Sequence, residues 1–384
     1  MKKPKILYLA HDLADAAVHK RVSMLRDGGA ILTVAGFRRS PQPVRDVAGY
    51  IPIDLGQTHN GKFAQRIWAV LRHVLFPVCN AAFRESEIII ARNLEMLAIG
   101  ARHATGFPSP VLVYESLDIH RLLLKKGPIG ILLRRIETWL SKKSAVLITS
   151  SQGFIDAYFS RYTMPVRLIE NKVYDPQEKI PVENIGPARL AGPPWKIGWF
   201  GVIRCRKSLQ LLANLAIRSK GAVEIVIRGR PALDQIPYFY DVISRTPGMH
   251  FAGAYKYPED LPGIYRDIHF TWAVDFYEED GNSSLLLPNR LYEGGLFNTV
   301  PIALKSVVTG RFLDRLKIGV TLDEPLHKSL PLFFDALTTD HYRALEECAA
   351  KTPRSQWHHD KSDCQSLVSY LMSLQLPTNE YVHE

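Results

Sequence analysis

Apolar residues fall along the chain in two alternating series. In the first, short runs rich in β-branched and aliphatic residues (Ile6–Ala10, Ile31–Gly36, Glu87–Ala91, Val111–Tyr114, Ala145–Thr149 and Val166–Glu170) alternate with stretches of helical spacing such as Ala16–Asp27, Phe63–Phe76 and Ile131–Ser141. Continuous apolar strands separated by helices predict βαβ units around a parallel sheet, a Rossmann-like domain. A second series follows: Lys196–Gly201, Val223–Arg228, Met249–Ala252, Phe270–Val274, Val300–Leu304 and Gly319–Leu322. Between the two lies DPQEKIPVENIGPARLAGPP, which begins at Asp175 and ends at Pro194. Its prolines and glycines exclude a long helix or an inner strand, so it reads as a linker.

The expected organisation is α/β: a first Rossmann-like domain over residues 1–175, a linker over 176–194 and a second Rossmann-like domain over 195–355. Residues 356–384 carry an amphipathic helix, about Lys361–Leu374, expected to pack back on the first domain. Two such domains face each other across a cleft at the carboxyl ends of their strands, where ligands bind in open parallel sheets. At 384 residues the chain suits two domains. With 46% apolar and 22% charged residues, disordered, collagen-like and disulfide-scaffold classes are excluded. Lys or Arg interrupts every apolar run well before the length of a membrane span. The run Ile6–Ala10 is too short for a signal peptide, and a cytoplasmic protein is expected. Cys79, Cys205, Cys348 and Cys364 are far apart and read as buried, reduced thiols, not as disulfides or a metal site.

Charge is unevenly placed. Residues 1–190 hold 27 Lys and Arg against 16 Asp and Glu, a balance of +11, and the remainder is at −1. A basic half points to an anionic partner.

The second series carries the clearest chemistry. KIGWFG runs into VIRCRKSL and then a helical pattern. Gly201 permits close backbone approach, and Arg204, Arg206 and Lys207 stand at a strand-to-helix turn whose free N–H groups favour a diphosphate. A second basic strand end, Arg228-Gly229-Arg230, belongs to the same sheet. In DFYEEDGNSSLLLPNRLYEGGLFNTVPIAL, an acidic loop leads to Asn282 and Ser283, and Pro288 opens a helix. Asn289 and Arg290 on its first turn suit phosphate, and Glu293 one turn later suits a vicinal diol such as ribose; Gly294-Gly295 adjoin it.

This combination resembles the GT-B glycosyltransferases, family-4-like, where a strand–Gly–x5–Lys turn binds the donor diphosphate and a Glu on a later helix binds the donor ribose. Gly201 and Lys207 match that spacing, and PNRLYEGGLFNTVPIA matches the second motif with Glu293 as the ribose ligand. Leu285 stands where the commoner form has an earlier Glu, so the sugar contact is expected from Asn282 or Glu279. HDLADAAVHKRVSMLRDGGAILTVAGFRR, YESLDIHRLLL, ITSSQGFIDAYF and IENKV extend the resemblance to bacterial exopolysaccharide (succinoglycan-type) glycosyltransferases. The resemblance implies transfer from a nucleotide sugar, a UDP-sugar, to a polyprenyl-diphosphate-linked oligosaccharide. The donor is then a substrate and not a cofactor. Basic side chains and helix dipoles replace a cation.

In the first domain His11, Asp12 and Asp15 follow the first strand, with Asp15 also a candidate helix cap. Glu115, Asp118 and His120 follow the strand Val111–Tyr114, and Arg92-Asn93 end another. If transfer inverts, a carboxylate there acts as base: Asp118 first, then Asp15 and Asp12. His120 is a candidate for the donor sugar. KFAQRIWAVLRHVLF and RLLLKKGPIGILLRRIETWLSKK mix Lys and Arg with large apolar residues, the composition of an interfacial segment on anionic lipid. Single-stranded nucleic acid is not expected, because the aromatics lie in apolar helices and not on a stacking platform. A sugar-nucleotide epimerase of the same fold and a degenerate, non-catalytic scaffold are the alternative readings.

Overall fold

Strands that are apolar throughout can only be stable when both faces are covered, and the first sheet is built that way. The computed structural model describes residues 3–59, 62–105, 109–175, 180, 190–279 and 281–375. The first sheet comprises β1 (Lys5–Ala10), β2 (Ile31–Arg38), β3 (Ile53–Gln57), β4 (Ile88–Arg92), β5 (Val111–Ser116), β6 (Val146–Thr149) and β7 (Val166–Leu168). Their order is β3-β2-β1-β4-β5-β6-β7, with every neighbouring pair parallel. The central strands β1, β4 and β5 are buried along almost their whole length. The apolar pattern does not predict β3, IDLGQ, because as an edge strand it buries only Leu55. At the other edge β7 ends at Leu168, short of Glu170.

The helix Ala16–Asp27 starts where Asp15 accepts a hydrogen bond from the Ala17 N–H at 2.9 Å. The last helix, Lys361–Ser373, opens with a capping box of Asp360 and Asp363. It packs against Ala16–Asp27, with the Cys364 carbonyl so close to Gly28 that no side chain fits there.

The chain divides into two units, residues 1–170 with 360–384, and residues 171–359. The second unit contains β8 (Val173–Tyr174), β9 (Trp195–Ile203), β10 (Val223–Pro231), β11 (Met249–Phe251), β12 (Phe270–Trp272), β13 (Val300–Leu304), β14 (Val320–Leu322) and β15 (His358–His359). Its main sheet runs β11-β10-β9-β12-β13-β14, again all parallel. The unit boundary lies five residues earlier than the proline pattern suggests. The reason is a small parallel pairing of β8 with β15, anchored by Trp357, which is buried in the second unit's core beside Val173. Of the expected linker 176–194, Ile180 and residues 190–194 are described, and the remainder lies outside the described residues.

At the carboxyl ends of β9 and β10, Gly201 and Gly229 are register partners with φ of +108° and +127°. A Cβ on Gly229 would collide with the Gly201 carbonyl. Both strands therefore need glycine here, two residues before each ends.

Candidate functional site

Because β10, β9 and β12 are neighbours, the segments that follow them meet at one edge of the second sheet. Beyond β9 the helix Arg206–Arg218 begins, with the Cys205 thiol as its cap, accepting from the Ser208 N–H at 3.3 Å. The Ser208 hydroxyl is buried there without a hydrogen-bond partner. Lys207 is half-exposed; its Nζ lies 2.6 Å from Glu279 Oε1 and 4.0 Å from the Phe276 ring. The Arg204 guanidinium lies 4.0 Å from the centre of the Tyr277 ring. Arg228 is partly buried near the end of β10. The acidic loop after β12 thus meets both cations, an arrangement that local spacing does not reveal.

The loop then makes a short helix, Asn282–Leu285, in which Asn282 and Ser283 are buried. Asn282 Nδ2 donates to Glu278 at 2.6 Å, and the Glu278 N–H donates to Ser283 Oγ at 2.9 Å. Glu279 is engaged by Lys207, as above. Pro288 is the N-cap residue of the helix Asn289–Leu296, and Asn289 is exposed on its first turn. Arg290, expected to suit phosphate, lies on that first turn as well. Its Nε and Nη2 donate to the carbonyls of Trp272 and Val274 at 2.6 and 2.7 Å, so two of its nitrogens tie the helix to the end of β12. Gly294 and Gly295 also have a packing explanation. Side chains at these positions would strike Thr271 and Thr299, or the Trp357 ring.

Glu293 is buried and accepts a hydrogen bond from the Tyr265 hydroxyl at 2.7 Å. Burial and the Glu293 charge raise the hydroxyls of Tyr265 and Tyr255 well above the usual tyrosine range. Neither tyrosine stands out in the sequence, because each comes from a segment far from Glu293. Together this edge offers two cations, a helix start and a buried carboxylate, which suit a diphosphate and a diol respectively.

The first unit's edge is more closed. Glu115, the fifth residue of β5, is fully buried. It accepts from Tyr8 Oη at 2.5 Å and Arg21 Nε at 2.6 Å, and Arg92 Nη1 stands 3.8 Å away. Although burial raises the Glu115 carboxyl, Arg21 and Arg92 outweigh it and hold the group below the usual range. Arg92 is itself buried, so it does not line an open acceptor surface as the strand-end reading expects.

Asp12 and Asp15 lie at the end of β1. Asp12 accepts from the Ala14 N–H at 3.1 Å. Asp15 caps its helix, lies 3.8 Å from His11 Nε2 and accepts from Arg92 Nη2 at 3.4 Å. Burial, with Arg92 next, pushes the His11 imidazole down to about 3, against the opposing pull of Asp15. Arg66 forms an ion pair with Glu95 close by. Asp118, by contrast, is exposed just past β5. His120 caps the helix Arg121–Leu124, its Nδ1 accepting from the Leu122 N–H at 3.3 Å, and its ring stacks on Phe63 at 6.4 Å.

No family model matches the chain. Over 385 residues, 98% of this chain and 96% of the other, it is 45% identical to the succinoglycan biosynthesis protein ExoL of Rhizobium meliloti (strain 1021). HepE from Anabaena, solved in complex with UDP, superposes with a TM-score of 0.68 over 96% of this chain and 99% of HepE, at 15% identity. A glycosyltransferase from Rickettsia africae gives 0.66 over 99% and 100%, at 12% identity. A putative UDP-N-acetylglucosamine 2-epimerase from Listeria monocytogenes gives 0.59 over 97% and 96%, at 10% identity, so the fold alone does not choose the reaction. The chain has the GT-B fold and belongs to the family of the succinoglycan biosynthesis protein ExoL.

Proposed function

We infer that the chain is a glycosyltransferase of exopolysaccharide synthesis that takes its sugar from a nucleoside diphosphate sugar. The observation that carries this reading is the meeting of Gly201, Lys207 and the buried Glu293 at one sheet edge, in a chain so similar to ExoL. The UDP bound to HepE supports a UDP-sugar as donor. Arg204, Lys207 and the N–H groups that open the helix Arg206–Arg218 take the diphosphate, assisted by Arg228 and by Asn289 at the second helix start. Glu293 takes the ribose diol, and the Asn282–Ser283 turn faces the sugar. Cationic side chains and helix starts stabilise the departing diphosphate, so transfer proceeds without a divalent cation or other cofactor. If the reaction inverts, Asp118, exposed just past β5, is the leading candidate for the base, with Asp15 and Asp12 behind it.

The acceptor is a polyprenyl-diphosphate-linked oligosaccharide, reached from the inner face of an anionic membrane. Among the described residues no helix is long and apolar enough to cross a membrane. The support for a surface location lies in two amphipathic helices of the first unit. Phe63–Leu75 buries none of its residues, and Trp68, Leu71 and Leu75 are exposed on it, with Phe76 just beyond. Pro128–Ser141 exposes Ile129, Leu132, Ile136 and Trp139 along one side. Lys125, Lys126, Lys142 and Lys143 flank the second helix and are exposed, Lys143 standing 4.5 Å from the Trp139 ring. Arg134 leaves this basic set, because it donates to the carbonyls of Leu123 and Lys125. Leu123, in the same basic apolar segment, is buried and does not belong to this exposed face.

A panel of nucleotide sugars incubated with and without membrane extract tests the reading. Sugar recovered in lipid-extractable product supports it. Interconversion of nucleotide sugars without an acceptor, or tight binding with no turnover on any donor, would replace it with the epimerase or the scaffold.

A further inference from the structure

A carboxylate that must hold two hydroxyls of one ribose needs a fixed plane as well as a fixed place. The Glu293 side chain has three rotatable bonds, and the fold restrains it from outside. We propose that Tyr265 is the positioning residue that orients Glu293 and so gives the donor site its preference for a ribose over a deoxyribose. The proposal rests on the reading of Glu293 as the ribose ligand.

The geometry is as follows. Tyr265 sits on the helix Leu261–Arg266 and is completely buried, with its hydroxyl 2.7 Å from Glu293 Oε2. Its ring lies nearly parallel to Phe297, with centroids 5.8 Å apart and planes at 9°. It meets Phe200 edge-on at 5.0 Å. Phe200 precedes Gly201 on β9, and Phe297 closes the helix that carries Glu293. The phenol is therefore fixed to the diphosphate strand on one side and to the ribose helix on the other. Tyr255, edge-on to Phe200 at 6.5 Å, extends the same aromatic frame. The Tyr265 hydroxyl keeps its proton across the neutral range, since burial and the adjacent carboxylate both disfavour ionisation. A neutral phenol on a carboxylate oxygen acts as a permanent donor, and charge-assisted bonds of this kind are shorter and stronger than neutral ones.

A merely structural tyrosine would affect stability and leave ligand choice alone, so the test reads ligand choice. Calorimetric dissociation constants are measured for UDP and for 2′-deoxy-UDP with the parent protein, Tyr265→Phe, Glu293→Gln and Phe297→Leu. The parent is expected to prefer UDP by about tenfold or more, the size of one charge-assisted hydrogen bond. Glu293→Gln should abolish that preference. Tyr265→Phe should shrink it to about threefold or less by weakening UDP alone. Phe297→Leu, which loosens the stacking but keeps the hydroxyl, should lower the melting temperature and keep the preference. If Tyr265→Phe retains the full preference while Glu293→Gln loses it, the proposal fails and the Glu293 reading stands. If Glu293→Gln itself retains the preference, the ribose assignment fails. Should Tyr265→Phe not fold, Tyr265→Met also removes the donor and is judged by the same two constants.

Discussion

Glu115 and Lys207 occupy comparable places, each at the carboxyl edge of a parallel sheet, and their surroundings differ sharply. Glu115 is sealed in the first unit with Tyr8, Arg21 and Arg92 as partners. Lys207, on the second unit's edge, is 49% exposed and paired with a Glu279 that is 45% exposed. A charge buried with its partners is committed to the fold, because removing one partner strands the others in a medium that cannot solvate them. An exposed pair holds together weakly and can exchange its partner for a ligand phosphate at little cost. Oppositely charged partners at the two sheet edges therefore do different work. Burial decides which is structural and which is available for binding.

The sharpest way to break this contrast is Glu115→Gln. It leaves Arg21 and Arg92 without their carboxylate and should lower stability by about 3–5 kcal/mol in urea unfolding. A loss below about 1 kcal/mol would mean that the first edge is as open as the second. A large effect of another kind is expected on the basic helix flanks. Each Lys near an anionic surface contributes about 1 kcal/mol. Changing Lys125, Lys126, Lys142 and Lys143 to Gln should then release the protein from anionic vesicles in flotation while leaving UDP binding unchanged. Replacing Trp68, Leu71 and Leu75 by Ser should release it too, in this case with little dependence on salt. Undiminished flotation of both variants would remove the membrane from the account.

A smaller effect is expected on acidification. His11 titrates near 3 in the folded protein and near its ordinary 6.5 when unfolded. The unfolded chain binds the extra proton between those values, so stability is complete above about pH 6.5 and falls as the pH drops towards 3. Glu115 adds a further loss as the pH falls from its ordinary 4.5 through its lowered folded value. His11→Gln should flatten the melting-temperature profile between pH 6 and 4, and an unchanged slope would show that His11 is not held neutral. The smallest effect is expected from Glu279→Gln, which breaks only the exposed pair and should change stability by less than about 1 kcal/mol.

The two edges also differ in how far the amino-acid sequence discloses them. The second is written locally: Gly201 to Lys207 span one turn, Pro288 to Glu293 another, and a parallel order of apolar strands brings the turns together. What spacing does not convey are partners from other segments. These include Glu279 on Lys207, Arg290 turned onto the Trp272 and Val274 carbonyls, and Tyr265 on Glu293. In the first unit nearly everything that matters is of that second kind. Glu115 meets Arg21 across 94 residues and Tyr8 across 107. Glu137, fully buried on a helix that otherwise looks amphipathic, accepts from Tyr114, Tyr158 and Tyr162. An acidic residue in a basic apolar helix gives no hint of three phenols around it. Edge strand β3 and the short β8–β15 pair escape for a related reason, since neither carries a sustained apolar run.

Donor binding is proposed for the exposed edge of the second unit, where Lys207 meets the diphosphate. Calorimetric titration of UDP into the parent protein and into Lys207→Ala, with both melting temperatures recorded, tests it directly. Affinity in the variant is expected to be lower by about ten- to a hundredfold, from the loss of one charge-assisted contact, at a melting temperature close to the parent's. Equal affinities in two folded proteins would contradict it.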